Sequence, residues 1–265
     1  MAFIEIKQMK EITFDEGKKV MLDTLISVAR FCDQSGINYS LAYGTLIGAI
    51  RHKGFIPWDD DIDIIMWRED YDRFISTFKD DRYKIVEGSC NPNHSHVRVS
   101  DSKTILKLNE WRGQFYKDGL WIDVFPIDKV PDSQRGYTIF RRSVWFLFEM
   151  QLSGEVHRKG WLNKIIFIVC KPFSSYFGKR ALLKMRKYNK RETKSVANMG
   201  VWYLTFPKFP ACYMNEFVEV DFEDHKFKAI KEYDAFLRGV YGDYMQFPPK
   251  EKQKPHHSYK AFWRE

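Results

Sequence analysis

From Tyr43 to Ile64 the chain reads YGTLIGAIRHKGFIPWDDDIDI, and the end of that segment restricts what can form there more than any other stretch does. In Asp61-Ile62-Asp63-Ile64 charged and apolar side chains alternate, which is the period of a strand with one face in a core. Such a strand sends Ile62 and Ile64 inward and points two carboxylates at one spot. Adjacent like charges raise each other's proton affinity unless a cation stands between them. Oxygen ligands of this kind suit Mg²⁺, which takes one or two protein carboxylates and completes its shell with water and phosphate oxygens. The residues after Asp59 do not supply the ligand positions of a calcium-binding EF-hand loop. A solvated acidic turn is the plain alternative.

The neighbours of the acidic run favour phosphate chemistry. Gly44 and Thr45 open a short helix, whose free N–H groups and dipole attract anions; Gly44 admits a phosphate closely and Thr45 adds a hydroxyl. Arg51 and Lys53 lie between this turn and the aspartates, suited to phosphate oxygens. Asp59 and Asp60 border the acidic pair, and Pro57 and Trp58 stiffen the turn that delivers it. In Leu120–Phe125 (LWIDVF) Asp123 faces opposite to Ile122 and Val124, as a third ligand or as the base for an attacking hydroxyl. Asp128 is expected in a loop beyond it. His256 and His257 follow Lys250, Lys252 and Lys254, either a positive flap over a phosphate site or a mobile basic end. Cys90, His94 and His96 lack the fourth ligand that a structural zinc site needs.

Around this centre the patterning predicts helices over 15–34, 44–52, 69–78 and 232–241, and strands over 38–43, 61–66, 82–87, 96–99, 120–125 and 216–222. Beyond Pro131 long helical stretches run through 134–156 and 161–190, the second broken at Pro172. A three-part organisation follows: a core over 1–131, a basic helical region over 132–200, and a C-terminal part over 201–265 that completes the core and site. The middle is strongly charged, with fourteen Lys/Arg against Glu149 and Glu155 between Arg135 and Arg191, so +12, while the rest carries −4 of the total +8. Its apolar runs are shorter than the ~20 residues of a spanning helix, and fit docking at an anionic membrane surface or ordinary core helices with solvated faces. The mixed, polar opening and four scattered cysteines lead us to expect reduced thiols and a cytoplasmic protein, peripheral at the inner face of the membrane.

Taken together, Tyr43-Gly44-Thr45-Leu46, Gly48-Ala49, Arg51, Gly54 and Ile56-Pro57-Trp58-Asp59-Asp60-Asp61-Ile62-Asp63 resemble the motif of the LicD/fukutin-type phosphotransferases, a branch of the nucleotidyltransferase-fold superfamily. Ile122–Asp128 is similar to that family's later acidic strand, and Tyr241-Gly242-Asp243-Tyr244 with Phe247-Pro248-Pro249 and His256-His257 to its C-terminal end. The resemblance implies an α+β fold, a mixed β-sheet flanked by helices, with Asp61, Asp63 and Asp123 as catalytic residues around Mg²⁺ or Mn²⁺. It implies substrate contacts from Tyr43, Gly44, Thr45, Arg51, Asp60, His256 and His257. Bacterial members move phosphocholine from CDP-choline to a hydroxyl of a cell-surface glycan, teichoic acid or lipopolysaccharide, or to its lipid-linked precursor, and release CMP. Other relatives transfer ribitol phosphate, and the motif does not separate the donors. An RNA-acting nucleotidyltransferase and a non-catalytic membrane adaptor are the alternatives; nucleic acid is the weaker partner.

Overall fold

In a computed structural model, which describes residues 9–87, 95–108, 115–116, 118–156, 159–201, 203–255, 257 and 259–264, strand β1 (Glu11–Ile12) leads into Thr13, the cap of helix α1 (Phe14–Ser35). The Thr13 hydroxyl accepts the Glu16 N–H at 3.2 Å and the Glu16 carboxylate accepts the Thr13 N–H at 2.8 Å. This reciprocal box satisfies two donors that a helix start leaves free. Gly36, at φ +61°, closes the helix in the left-handed conformation. Val20, Leu25, Val28 and Cys32 form its buried stripe.

Strand β2 (Ser40–Leu41), helix α2 (Tyr43–His52), strand β3 (Asp63–Trp67) and helix α3 (Arg68–Thr77) follow, then strands β4 (Tyr83–Glu87), β5 (Val97–Asp101), β6 (Thr104–Leu108), β7 (Phe115–Tyr116) and β8 (Trp121–Val130). Helices α4 (Gln134–Glu155), α5 (Trp161–Cys170) and α6 (Ser174–Met185) form the basic region, with a 3₁₀ turn at Lys171–Phe173 where Pro172 was expected to interrupt. Strands β9 (Ser195–Asn198), β10 (Phe209–Pro210), β11 (Phe217–Phe222) and β12 (His225–Ile230), helix α7 (Tyr233–Tyr241) and strand β13 (Tyr259–Trp263) complete the chain. The fold is α+β.

The main sheet is mixed and runs β10-β9-β8-β3-β2, with β5 also on β8 and β4 on β5. Its centre is the parallel pair β3 and β8, in register from Asp63 opposite Asp123 to Trp67 opposite Ile127. These strands read as nearly continuous apolar runs because both faces are covered: Ile64, Ile65, Met66, Ile122, Val124 and Ile127 have no exposed surface, and α1 and α3 pack against them.

Two expectations change here, and one open alternative closes. Strand β3 begins at Asp63, so Asp61 lies in the loop that delivers it. Strand β8 continues through Pro126 to Val130, placing Asp128 in a buried strand position. Pro126 falls where that edge of β8 passes from β5, paired up to Val124, to β9, paired from Ile127, so its missing N–H interrupts neither ladder. The C-terminal segment is not a loose polar end, since β13 pairs with β1 and β6 in a second sheet, β1-β13-β6-β7. The basic helices rest on the main sheet through Val130, Tyr137, Phe140, Val144, Ala181, Met185 and Ala197. Among the described residues no helix is long and apolar enough to cross a membrane.

Candidate active site

The backbone around Asp63 is tied down from three sides. The Thr45 hydroxyl accepts the Asp63 N–H at 2.8 Å, the Asp63 carbonyl accepts the Ala42 N–H at 3.0 Å, and the Ile62 carbonyl accepts the Asp123 N–H at 2.8 Å. Lys18 of α1 holds the preceding turn by donating to the carbonyls of Ile56 and Pro57. At Gly44 a β-carbon would sit 2.6 Å from Oδ2 of Asp59, so the start of α2 accepts that carboxylate only because glycine stands there. Tyr43 next to it holds φ +49°, a conformation that costs a residue with a β-carbon about 1–3 kcal/mol. Its ring packs edge-on to Phe125 and Phe206, and its hydroxyl accepts from Asn198 at 2.8 Å.

A cleft of about 900 Å³ opens over this framework, lined by Asp59, Asp61, Asp63 and Asp123 with Gly44, Arg51, Trp58, Phe206, Tyr241 and Phe247. Burial, with Asp61, Asp123 and Asp59 alongside, raises Asp63 well above the ordinary carboxylate range. Burial and then Asp59 push Asp61 up to about 7, and burial followed by Asp60 pushes Asp59 up to about 6, partly offset by a hydrogen bond from Asp61. Tyr241 leaves about half of its surface exposed, 48%, yet around its hydroxyl burial, then Asp63, Tyr43, Asp59 and Asp61, raises the phenol. Asp123 behaves oppositely. Burial alone would raise it, yet hydrogen bonds from His96 Nε2 at 2.9 Å, Arg98 Nε at 3.0 Å and Trp121 Nε1 at 3.0 Å, with the Arg98 charge, hold it low.

The structure brings Asp61, Asp63, Asp123, Gly44, Tyr43 and Arg51 to one cleft and distributes their tasks differently from the expectation. Thr45 is buried and serves the backbone of Asp63. Arg51 donates through Nη1 to the carbonyls of Tyr244 and Gln246 and lies 4.6 Å over the Phe247 ring, so it also braces the C-terminal wall. Asp60 turns to His257, accepting its backbone N–H at 3.0 Å and facing Nδ1 at 3.3 Å. His256, Cys90 and His94 lie outside the described residues, and His96 serves Asp123. Arg98 and Tyr241 are site residues that the sequence does not single out; it marks Asp59 only as a neighbour of the acidic pair, His96 only toward zinc and Trp121 only as one of many aromatics. The i, i+2 pairs His96-x-Arg98 and Trp121-x-Asp123 carry the same one-face signal as Asp61-x-Asp63.

Among the described residues one trio offers ligand atoms within 4.8 Å of one another, Asp60, Asp61 and His257, and it shares only Asp61 with the expected set. A raised His257, where the Asp60 hydrogen bond and charge outweigh burial, neutralises Asp60 without a metal. Asp59, Asp61 and Asp63 keep raised proton affinities that Lys18, His257 and Arg98 offset only in part; their oxygens are of the kind a hard divalent cation takes, although these three do not bring ligand atoms within 4.8 Å of one another.

A sign follows for stability. Acids raised from 3.8 to about 6 and 7 bind more protons folded than unfolded, so without a cation stability falls as pH rises from the ordinary carboxylate range through about 7. A cation must displace those protons, and its benefit therefore grows with pH. Melting curves with and without Mg²⁺ are expected to coincide in acid and to separate above neutrality; equal shifts at both ends would contradict the donor set.

Residues 36–157 match the family described as LicD/FKTN/FKRP, nucleotidyltransferase domain. Over 96% of its length the chain is 30% identical to the lipopolysaccharide cholinephosphotransferase LicD of Haemophilus influenzae, 99% of which is covered. Shorter stretches are similar to uncharacterized proteins of Rickettsia typhi (35% over 82 residues, 29% of this chain and 26% of the relative) and Rickettsia prowazekii (51% over 65 residues, 24% of each). With one relative matched nearly end to end and the acidic turn inside the matched domain, the chain belongs to the LicD family.

Proposed function

We propose that this chain is a phosphotransferase that moves phosphocholine from a CDP-choline-like donor to a hydroxyl of a cell-surface glycan, of lipopolysaccharide type, or to its lipid-linked precursor. The observation that carries this reading is the gathering of Asp59, Asp61, Asp63 and Asp123 in one cleft beside the start of α2. The choice of transferred group is supported by the activity for which the Haemophilus influenzae relative is named.

Asp61 and Asp63, with Asp123 or Asp59 adjoining, would hold Mg²⁺ or Mn²⁺, which neutralises diphosphate oxygens and eases departure of CMP. The chain's own groups supply the rest. Asp59 and Asp61 share a hydrogen bond; once a bound cation has displaced that proton, Asp59 would be placed to receive one from an acceptor hydroxyl. Asp123 has three donors on its two oxygens. It suits orientation of Arg98 and His96 better than proton acceptance. Trp58 and Tyr241 line the cleft and would be the rings to meet a trimethylammonium group, which cation–π attraction favours, since Phe247 and Phe206 already carry Arg51 and Arg141.

The test is direct. The chain is incubated with Mg²⁺ and either CDP-choline or CDP-ribitol, with and without lipopolysaccharide, and CMP is measured. CMP is expected from CDP-choline only when acceptor is present. Turnover of CDP-ribitol alone would reassign the donor, and no CMP from either would remove the reading.

A further inference from the structure

Helix α5, WLNKIIFIVC, is apolar along most of its length, yet Cys170 is its one buried residue. Trp161, Leu162, Ile165, Ile166, Ile168 and Val169 all lie exposed, from 41% for Ile166 to 72% for Trp161, and Phe173 and Tyr176 extend the surface beyond it. Single exposed apolar side chains are ordinary; six within nine positions mark a surface that something covers.

Charge decides among the occupants. From Val156 to Arg191 the sequence carries eleven Lys/Arg and no Asp or Glu. A second copy docked on this face would set those positive charges against each other, and a nucleic acid would leave the isoleucines wet. An anionic lipid surface satisfies both features, since acyl chains take the apolar side chains and headgroups take the lysines. Ten residues span about 15 Å at 1.5 Å per residue, half of the ~30 Å hydrocarbon layer. A helix of that length can lie in the interface but cannot cross the layer. Lys164 and Lys171, both exposed, flank the apolar run, and long side chains of this kind can lay an apolar stem along a lipid surface while the charged head meets phosphate. Trp161 at the start suits the headgroup level.

We propose that α5 is a monotopic anchor that seats this protein on an anionic membrane. The anchor is joined to the cleft through α4, against which α5 packs. Arg141 of α4 donates to the carbonyls of Asn198, Val201 and Tyr203 at 3.0, 3.1 and 2.7 Å, and Val201 and Tyr203 line the cleft. The cleft wall is thus fixed to the membrane-bound helices, where a lipid-linked substrate would arrive. The anchor holds whether or not the transferred group is phosphocholine.

The test is sedimentation of the full chain with vesicles of phosphatidylcholine alone or mixed with phosphatidylglycerol. The wild type is expected to pellet with the mixed vesicles and to partition at least about tenfold less onto the neutral ones. Ile165→Asp/Ile168→Asp and, separately, Lys164→Glu/Lys171→Glu are each expected to lower partitioning at least about tenfold, with unchanged melting and circular dichroism because all four side chains are exposed. A wild type that stays in the supernatant, or variants that pellet equally, would overturn the proposal. So would a lipid-free dimer in sedimentation velocity that Ile165→Asp/Ile168→Asp abolishes, which would assign the face to a second copy.

Discussion

Asp63→Asn is expected to lower CMP release by about a hundred- to a thousandfold, the scale of removing one preorganised electrostatic group, while the melting temperature in the absence of divalent cation stays level or rises. Both halves follow from one fact. Asp63 lies among Asp61, Asp123 and Asp59, and its proton affinity is raised because an anion there is desolvated and repelled. A neutral amide of the same shape relieves that repulsion and removes the charge that a cation needs. Asp61→Asn should behave alike, having the same kind of shift. Asp123→Asn provides the contrast. It too should lose transfer, but it weakens the bonds from Arg98 and His96, and charge-assisted bonds of this kind contribute roughly 1.5–3 kcal/mol each. Melting should therefore fall for Asp123→Asn and not for Asp63→Asn. Near-normal turnover in either the Asp61 or the Asp63 variant would remove those carboxylates from the chemistry.

The difference between these aspartates was only partly legible in the sequence. Alternation in Asp61-Ile62-Asp63-Ile64 gave the face of the strand, because Ile62 and Ile64 are fully buried, and periodicity placed α1, α2 and α3 within a residue or two of their ends. What the pattern could not carry is pairing at long range. Asp123 is set apart by Arg98, on the neighbouring strand β5, and His96, just before it, some 25 residues away in sequence. The hydroxyl of Thr45 pointed equally well to a phosphate or to a backbone N–H until β3 was placed beside it. The last residues, rich in Lys and Pro, have the composition of a loose end, but Tyr259–Trp263 finds β1 on one side and β6 on the other. Ladder bonds outweigh local polarity there, and they bring His257 to Asp60.

Asp128 shows the same limit most sharply and carries the largest expected effect on stability. Local sequence put it in a loop because Pro126 precedes it; in the fold it has no exposed surface. Its carboxylate accepts Arg68 Nε at 2.8 Å and Nη2 at 2.6 Å, and Asn189 Nδ2 at 2.6 Å. Arg68 opens α3, Asp128 belongs to β8, and Asn189 follows the basic helices, so the cluster pins that helical region to the sheet. Removing one partner leaves a buried charge unpaired, which costs about 3–5 kcal/mol. Arg68→Met and Asp128→Ala are each expected to lower the melting temperature by roughly 10 °C. The pair Arg68→Met/Asp128→Leu should recover much of the loss, because no charge is then stranded and apolar side chains fill the space. Neither residue lines the aspartate cleft, so transfer per folded molecule should survive in all three variants. A single variant that melts like the wild type would show that water reaches the cluster and solvates the remaining charge; one that melts normally but loses transfer would place Arg68 or Asp128 in the chemistry after all.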